Sequence, residues 1–264
     1  LILVLLLTAA LLIRMGVKIF NRDALLGQDI DQIRFGWMWQ TYWNRFRGRL
    51  PGQGFPSPRE WIRQLLSRLI ELKHPSGMLA ISILGGLLVG VLLLRLYPLP
   101  EELTSSIRVS DFAANMSSLG DQVDQLPSMI FWQNFRVIAI AALLGIFTLG
   151  VTDVILFMLP WIILGYLSAL IGANGENPLL FAAAVTIPHA LFEVPALLLA
   201  FAAALRWHAA VLSPPPGRTV GESWLMAAAD FVRITIVLVI PLLIIAALVE
   251  AYVTPQIIIW VYGS

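Results

Sequence analysis

Apolar residues fall in long unbroken runs along this chain, without the alternation that marks a half-buried strand. Six stretches stand out: 1–13, 78–97, 135–151, 154–171, 179–205 and 234–252. Helical residues rise about 1.5 Å each, so runs of this kind cross a hydrocarbon core of roughly 30 Å. Continuous rather than alternating hydrophobicity predicts helices and not a barrel. The expected fold class is therefore all-α: a polytopic transmembrane helical bundle, with about five complete spans and a truncated N-terminal one. Residues 1–20 read as the tail of a preceding span, since the chain opens inside an apolar run and shows neither a basic n-region nor a cleavage site. Only Thr152-Asp153 separates the third and fourth stretches, which predicts a tight hairpin with Asp153 at its cytoplasmic tip, solvated or capping a helix.

Composition agrees with the pattern. Hydrophobic residues make up 59% and charged residues 12%, with a mean hydropathy of +0.84, whereas a soluble domain carries about 25% charged residues. The absence of cysteine excludes disulfides, thiol catalysis and thiolate metal sites. Net charge is only +1, but its distribution orients the chain. Residues 14–77 hold eleven Lys/Arg against five acids, while 98–129 hold Arg108 against Glu101, Glu102, Asp111, Asp121 and Asp124. Cytoplasmic loops retain Lys and Arg, so the first segment is expected inside and the second outside. Alternation then places 206–233 inside, with Arg206, Arg218 and Arg233 in agreement, and the C-terminus outside a bacterial inner membrane.

The basic segment has its own signals. Ser57-Pro58-Arg59-Glu60 reads as a helix N-cap, a proline at the first helical position and a capping glutamate. Trp61, Ile62, Leu65, Leu66, Leu69 and Ile70 then recur at helical spacing opposite Arg63, Arg68, Glu71 and Lys73. Such cytoplasmic amphipathic helices lie in the lipid interface, where basic residues meet anionic headgroups. Phe35, Trp37, Trp39, Tyr42, Trp43 and Phe46, with Arg45, Arg47 and Arg49, suggest a second interfacial helix. Aromatics among basic residues also suit single-stranded nucleic acid, but beside a membrane span lipid is the expected partner and nucleic acid is not. Pro51, Gly52, Gly54, Pro56 and Pro58 mark a break between the two. The expected organisation is 1–20, the end of a span; 21–77, a basic interfacial segment; and 78–264, a five-span membrane domain.

Ionisable side chains inside the hydrocarbon region are costly and mark candidate sites. His189 and Glu193 lie four apart, on one helix face, bracketed by Pro188 and Pro195; Glu250 lies in the last span. Each proline removes a donor, so this helix is expected to kink or partly unwind, and the three side chains are placed to meet in the outer leaflet. Three chemistries are open to them. A His-x-x-x-Glu pair offers too few ligands for a metal centre and lacks the His-Glu-x-x-His form, so no metal is expected. A proton or substrate relay is the second. The third, favoured, is a polar lock in which His, Glu and freed carbonyls satisfy one another and fix helix packing. Arg206, His208 and Arg233 flank span ends and read as topology anchors, and Gly86-x-x-x-Gly90 reads as small-residue helix packing. No phosphate loop, Gly-x-Ser-x-Gly elbow or kinase signature occurs, so the chain is not expected to be an enzyme or to need a cofactor.

Pro188-His189-x-x-x-Glu193-x-Pro195-Ala196, followed by Val249-Glu250-Ala251-Tyr252-Val253-Thr254-Pro255, resembles the stage II sporulation protein M family. Phe131-Trp132-Gln133-Asn134-Phe135-Arg136-Val137, with Gly145 and Gly150 further on, is also similar to it. The resemblance covers roughly 77–255 and departs from the family where Ala190 replaces a glycine and Leu159-Pro160 an Asn-Gly. It implies a non-enzymatic membrane scaffold that recruits partners, cell-wall hydrolases among them, and an oligomer is possible. Residues 1–22 resemble the last span of ABC-2 type exporter permeases, which implies an alternative as a permease subunit served by an ATPase partner, or as a carrier using the His/Glu cluster.

Overall fold

The computed structural model describes residues 9–10, 13–14, 35–49, 54–100 and 124–262. Most of the expected N-terminal span, the acidic stretch 101–123 and the Pro51-Gly52 break lie outside the described residues. Every regular element among those residues is helical. The α-helices are α1 (Phe35–Phe46), α2 (Pro58–Leu69), α3 (Lys73–Leu96), α4 (Leu126–Thr148), α5 (Val151–Ala173), α6 (Pro178–Ala209), α7 (Val220–Ile234), α8 (Ile240–Tyr252) and α9 (Thr254–Tyr262). Five helical stretches are long and apolar enough to cross a membrane: Pro58–Leu96, Leu126–Thr148, Val151–Ala173, Pro178–Ala209 and Val220–Tyr262. The protein is a multi-pass membrane protein. Leu84, Leu88, Phe147, Ile163 and Leu191 stay uncovered by protein on these spans, which costs nothing where lipid is the solvent and only backbone groups must be satisfied internally.

Three spans begin well before the hydropathy pattern predicts, at Pro58, at Leu126 (expected at 135) and at Val220. The amphipathic helix α2 starts as expected, with Ser57 Oγ accepting from the Glu60 amide at 3.3 Å and proline in the first turn. It then runs through one 3-10 turn, Ile70–Leu72, directly into α3. Pro75 sits in the first turn of α3, where its missing N–H removes no needed hydrogen bond, so the chain does not loop there. Ile62, Leu66 and Ile70 form an exposed apolar row at four-residue spacing, while Leu65 and Leu72 are buried. The last span likewise starts at Val220, and α7 reaches α8 through a π-helical turn, Thr235–Val239.

The hairpin between α4 and α5 turns at Leu149-Gly150, not at Thr152-Asp153. Both residues take positive φ, 52° and 88°, and the Gly150 amide donates to the Gly145 carbonyl at 3.0 Å. This is the αL helix stop that glycine tolerates and leucine resists.

The described chain divides into two compact units. One contains α1, α2, the first residues of α3 up to Ser76, residues 140–154, residues 199–209 and α7; the other contains the rest of α3 from Gly77, residues 126–139, 155–173 and 178–198, α8 and α9. In the second unit α3 and α5 touch backbone to backbone. A Cβ at Gly90 would strike the Ile162 carbonyl and lie 2.6 Å from the Tyr166 amide, and one at Gly165 would strike Leu87. The small-residue spacing 86/90 thus does pack a helix pair, with Gly165 as its counterpart on the facing helix.

Candidate functional site

His189, Glu193 and Glu250 converge in the second unit. One ligating atom from each, an imidazole nitrogen and two carboxylate oxygens, lies within 4.8 Å of the others. His189 Nε2 stands 3.5 Å from Glu193 Oε2, with both side chains largely buried. His189 Nδ1 lies 3.4 Å from Thr254 Oγ1, and that hydroxyl donates to the Val249 carbonyl at 3.4 Å. The Asn134 side chain hydrogen-bonds the Glu193 carboxylate. Five polar residues from α4, α6, α8 and α9 therefore meet in an apolar surround. Two ionised carboxylates within 4.8 Å of each other would repel by about 3 kcal/mol or more at an effective dielectric near 20, so the arrangement favours an added proton or a bound cation between them.

The helix α6 remains α-helical through Pro188 and Pro195, so the expected unwinding does not occur. Transmembrane helices tolerate such prolines because neighbouring groups take over the freed carbonyls. Thr254 is buried and Tyr252 half exposed, while Pro255 sits in the first turn of α9. A cleft of about 520 Å³ adjoins the cluster, lined by Gln133, Pro160, Trp161 and Leu164 together with all three ionisable residues.

The first unit holds a second polar system, with a different character. Asp153 is fully buried, not solvated at a hairpin tip as expected: with the turn at Leu149-Gly150 it falls in the first turn of α5 and faces inward. Its Oδ2 lies 2.7 Å from His208 Nδ1, and His208 Nε2 lies 3.1 Å from the Ala142 carbonyl. Gly145 makes room for this ring, since a Cβ there would overlap His208 Cε1 and Nδ1. Arg206, His208 and Arg233 are therefore not simple anchors at span ends. Arg206 pairs with Glu71 and reaches Asp230 at 3.4 Å. Arg45 grips the same aspartate with two bonds, 2.9 and 2.6 Å, fixing α1 to α7. Buried Arg233 donates to the Trp61 carbonyl and lies 3.9 Å over the Trp61 ring.

Arg45 and Arg206 stand out in the sequence, but Asp230, the acid that pairs with both, does not. Its signal is an acid inside the apolar run Ala227-Ala228-Ala229-Asp230-Phe231, which falls within 206–233, the stretch expected inside the cytoplasm and so outside the hydrocarbon criterion that selected Glu193 and Glu250. Its partners are unreadable from sequence, because Arg45 is 185 residues away.

Among protein families, the model described as stage II sporulation protein M matches residues 78–255, which takes in the whole His189/Glu193/Glu250 cluster, Asn134, Gly145, Tyr252, Thr254 and Pro255. No curated protein matches the chain, and no solved structure does.

Proposed function

We propose, from the premise that this chain belongs to the stage II sporulation protein M family, that it is a non-enzymatic scaffold or accessory module organising partner proteins at the bacterial inner membrane. The observation that carries this reading is the convergence of Asn134, His189, Glu193, Glu250 and Thr254 from four helices. Polar side chains that bind one another across helices hold a bundle in one arrangement, as a platform for partners requires. In this reading the basic segment faces the cytoplasm and the C-terminus the exterior. Exposed Phe35, Trp37 and Trp39, with Arg47 and Arg49 nearby, rest on anionic lipid. The partners are membrane or membrane-associated proteins: an ATPase subunit on the inner side or cell-wall hydrolases on the outer.

Photo-crosslinking in intact membranes, from probes at Phe35 and Trp39 and at Trp132 and Trp260, tests it. The expected product is a discrete adduct with another protein, whose membrane localisation is lost when the chain is deleted. Adducts with lipid alone, and unchanged localisation of every membrane-associated protein, would sink the scaffold. A second reading, a permease or carrier, draws on the cleft of about 520 Å³ beside the cluster. Substrate flux into proteoliposomes that disappears in Glu193→Gln would favour it.

A further inference from the structure

Two donors on one helix were too few for a metal site, and the fold supplies a third, Glu250, from α8. The ring orientation of His189 turns Nε2 toward Glu193 and Nδ1 toward Thr254 Oγ1, 3.4 Å away. With the Thr254 hydroxyl directed at the Val249 carbonyl, also 3.4 Å away, its oxygen is free to accept from Nδ1–H, which favours the tautomer protonated there. In the neutral ring that leaves Nε2 as a bare lone pair aimed at the Glu193 carboxylate, 3.5 Å away. A lone pair facing a carboxylate, with a second carboxylate beside it, is stable only around a cation or an added proton.

One edge of the triad already fits the cation, and with all three donor atoms within 4.8 Å of one another a bound ion would draw the third inward. Zn²⁺ bonds of about 2.0–2.2 Å to nitrogen and oxygen put neighbouring tetrahedral ligands about 3.3–3.5 Å apart. The His189–Glu193 separation of 3.5 Å matches such an edge and is too long for a good direct hydrogen bond. Orientation of a ligating histidine through its other ring nitrogen, and of a ligating carboxylate through an amide, is the usual outer support of metal sites. Thr254 and Asn134 stand in those places. We propose that His189 Nε2, Glu193 and Glu250 bind a divalent transition-metal ion of the Zn²⁺ class within the membrane domain. A single cation bound there draws α6 and α8 together and neutralises both carboxylates. Three protein ligands leave a fourth position, and the adjoining cleft gives water or a partner's side chain access to it.

The inference concerns the isolated chain and does not depend on the scaffold reading, so either can fail alone. The full chain, purified in detergent and stripped with chelator, is titrated with ZnCl₂ by calorimetry, and its metal content is measured after desalting. About one Zn²⁺ per chain is expected for a site of this type, and Co²⁺ in its place should give the visible absorption of a low-symmetry N/O site. Glu250→Gln and His189→Gln should each cut retained metal at least tenfold, while Glu60→Gln, an exposed carboxylate outside the cluster, should retain it. The Co²⁺ spectrum reads the wild-type protein and so does not depend on any variant folding. Failure of the wild type to retain Zn²⁺ or to give a Co²⁺ band would overturn the proposal in favour of a shared proton. So would equal metal retention in the well-folded cluster variants.

Discussion

Gly145→Ala isolates the packing of His208 and allows the sign of the effect to be worked out. Gly145 lies inside helix α4, where alanine is intrinsically better than glycine by about 1 kcal/mol. The added methyl, however, would overlap His208 Cε1 and Nδ1 and lie 2.7 Å from Asp153 Oδ1. The ring cannot step aside cheaply, because both of its nitrogens are held, at 2.7 Å to Asp153 and 3.1 Å to the Ala142 carbonyl. Moving it leaves two buried hydrogen bonds unmade, each costing about 1–3 kcal/mol. After the helix gain is subtracted, the substitution destabilises by about 3 kcal/mol, within a range of about 1–5. For a chain of this size that is a fall in Tm of roughly 6–12 °C. Intrinsic tryptophan fluorescence during thermal unfolding in detergent reads it directly. The decisive comparison uses His208→Ala as background. There the methyl has room, and Gly145→Ala should be neutral or raise Tm. An equal loss in both backgrounds would refute the claim that the His208 ring is what the glycine accommodates.

Gly90→Ala pushes a methyl into the backbone of α5 and should lower Tm by several degrees, whereas Gly85→Ala meets only the flexible Met158 side chain at 3.8 Å and should not. The same fluorescence melts distinguish them, and identical behaviour would deny the close contact of α3 with α5. Asp230→Asn strips the charge that holds Arg45 and Arg206 and should cost about 3–5 kcal/mol. Limited trypsinolysis should then cut faster after Arg47 and Arg49, and an unchanged rate would mean that α1 is held by other contacts. Because the chain has no cysteine, single cysteines report topology cleanly. One at position 218 should react with an impermeant maleimide only after the membrane is opened, and one at 262 before; the reverse pattern would invert the proposed orientation.

Much of the fold was legible because a bilayer imposes it segment by segment. Each span must satisfy its own backbone and be apolar around its circumference, and both conditions are written in consecutive residues such as 178–209. The Ser57 cap and the amphipathic face of α2 were legible for the same reason, being set by residues within one or two turns. The boundaries were less so. Pro75 in a first helical turn and the π turn at Thr235–Val239 let helix continue where hydropathy alone suggested a loop. The stop at Leu149 depends on a leucine holding positive φ, which no local preference predicts.

By itself, then, the sequence determined an all-helical membrane protein, the approximate spans, the membership signal in 78–255, and His189, Glu193 and Glu250 as residues worth attention. Tertiary structure alone decided which charges meet. It took Asp153 from a supposed hairpin tip to a fully buried partner of His208, and turned Arg206 and Arg233 from anchors into parts of a network on Glu71, Asp230 and Trp61. For Glu250, already expected near the His189–Glu193 pair, it supplied the distance, with one donor atom from each of the three within 4.8 Å of the others. The physical reason is that burial in lipid is a property of each segment, whereas ion pairs and ligand sets depend on distances between residues far apart in the chain.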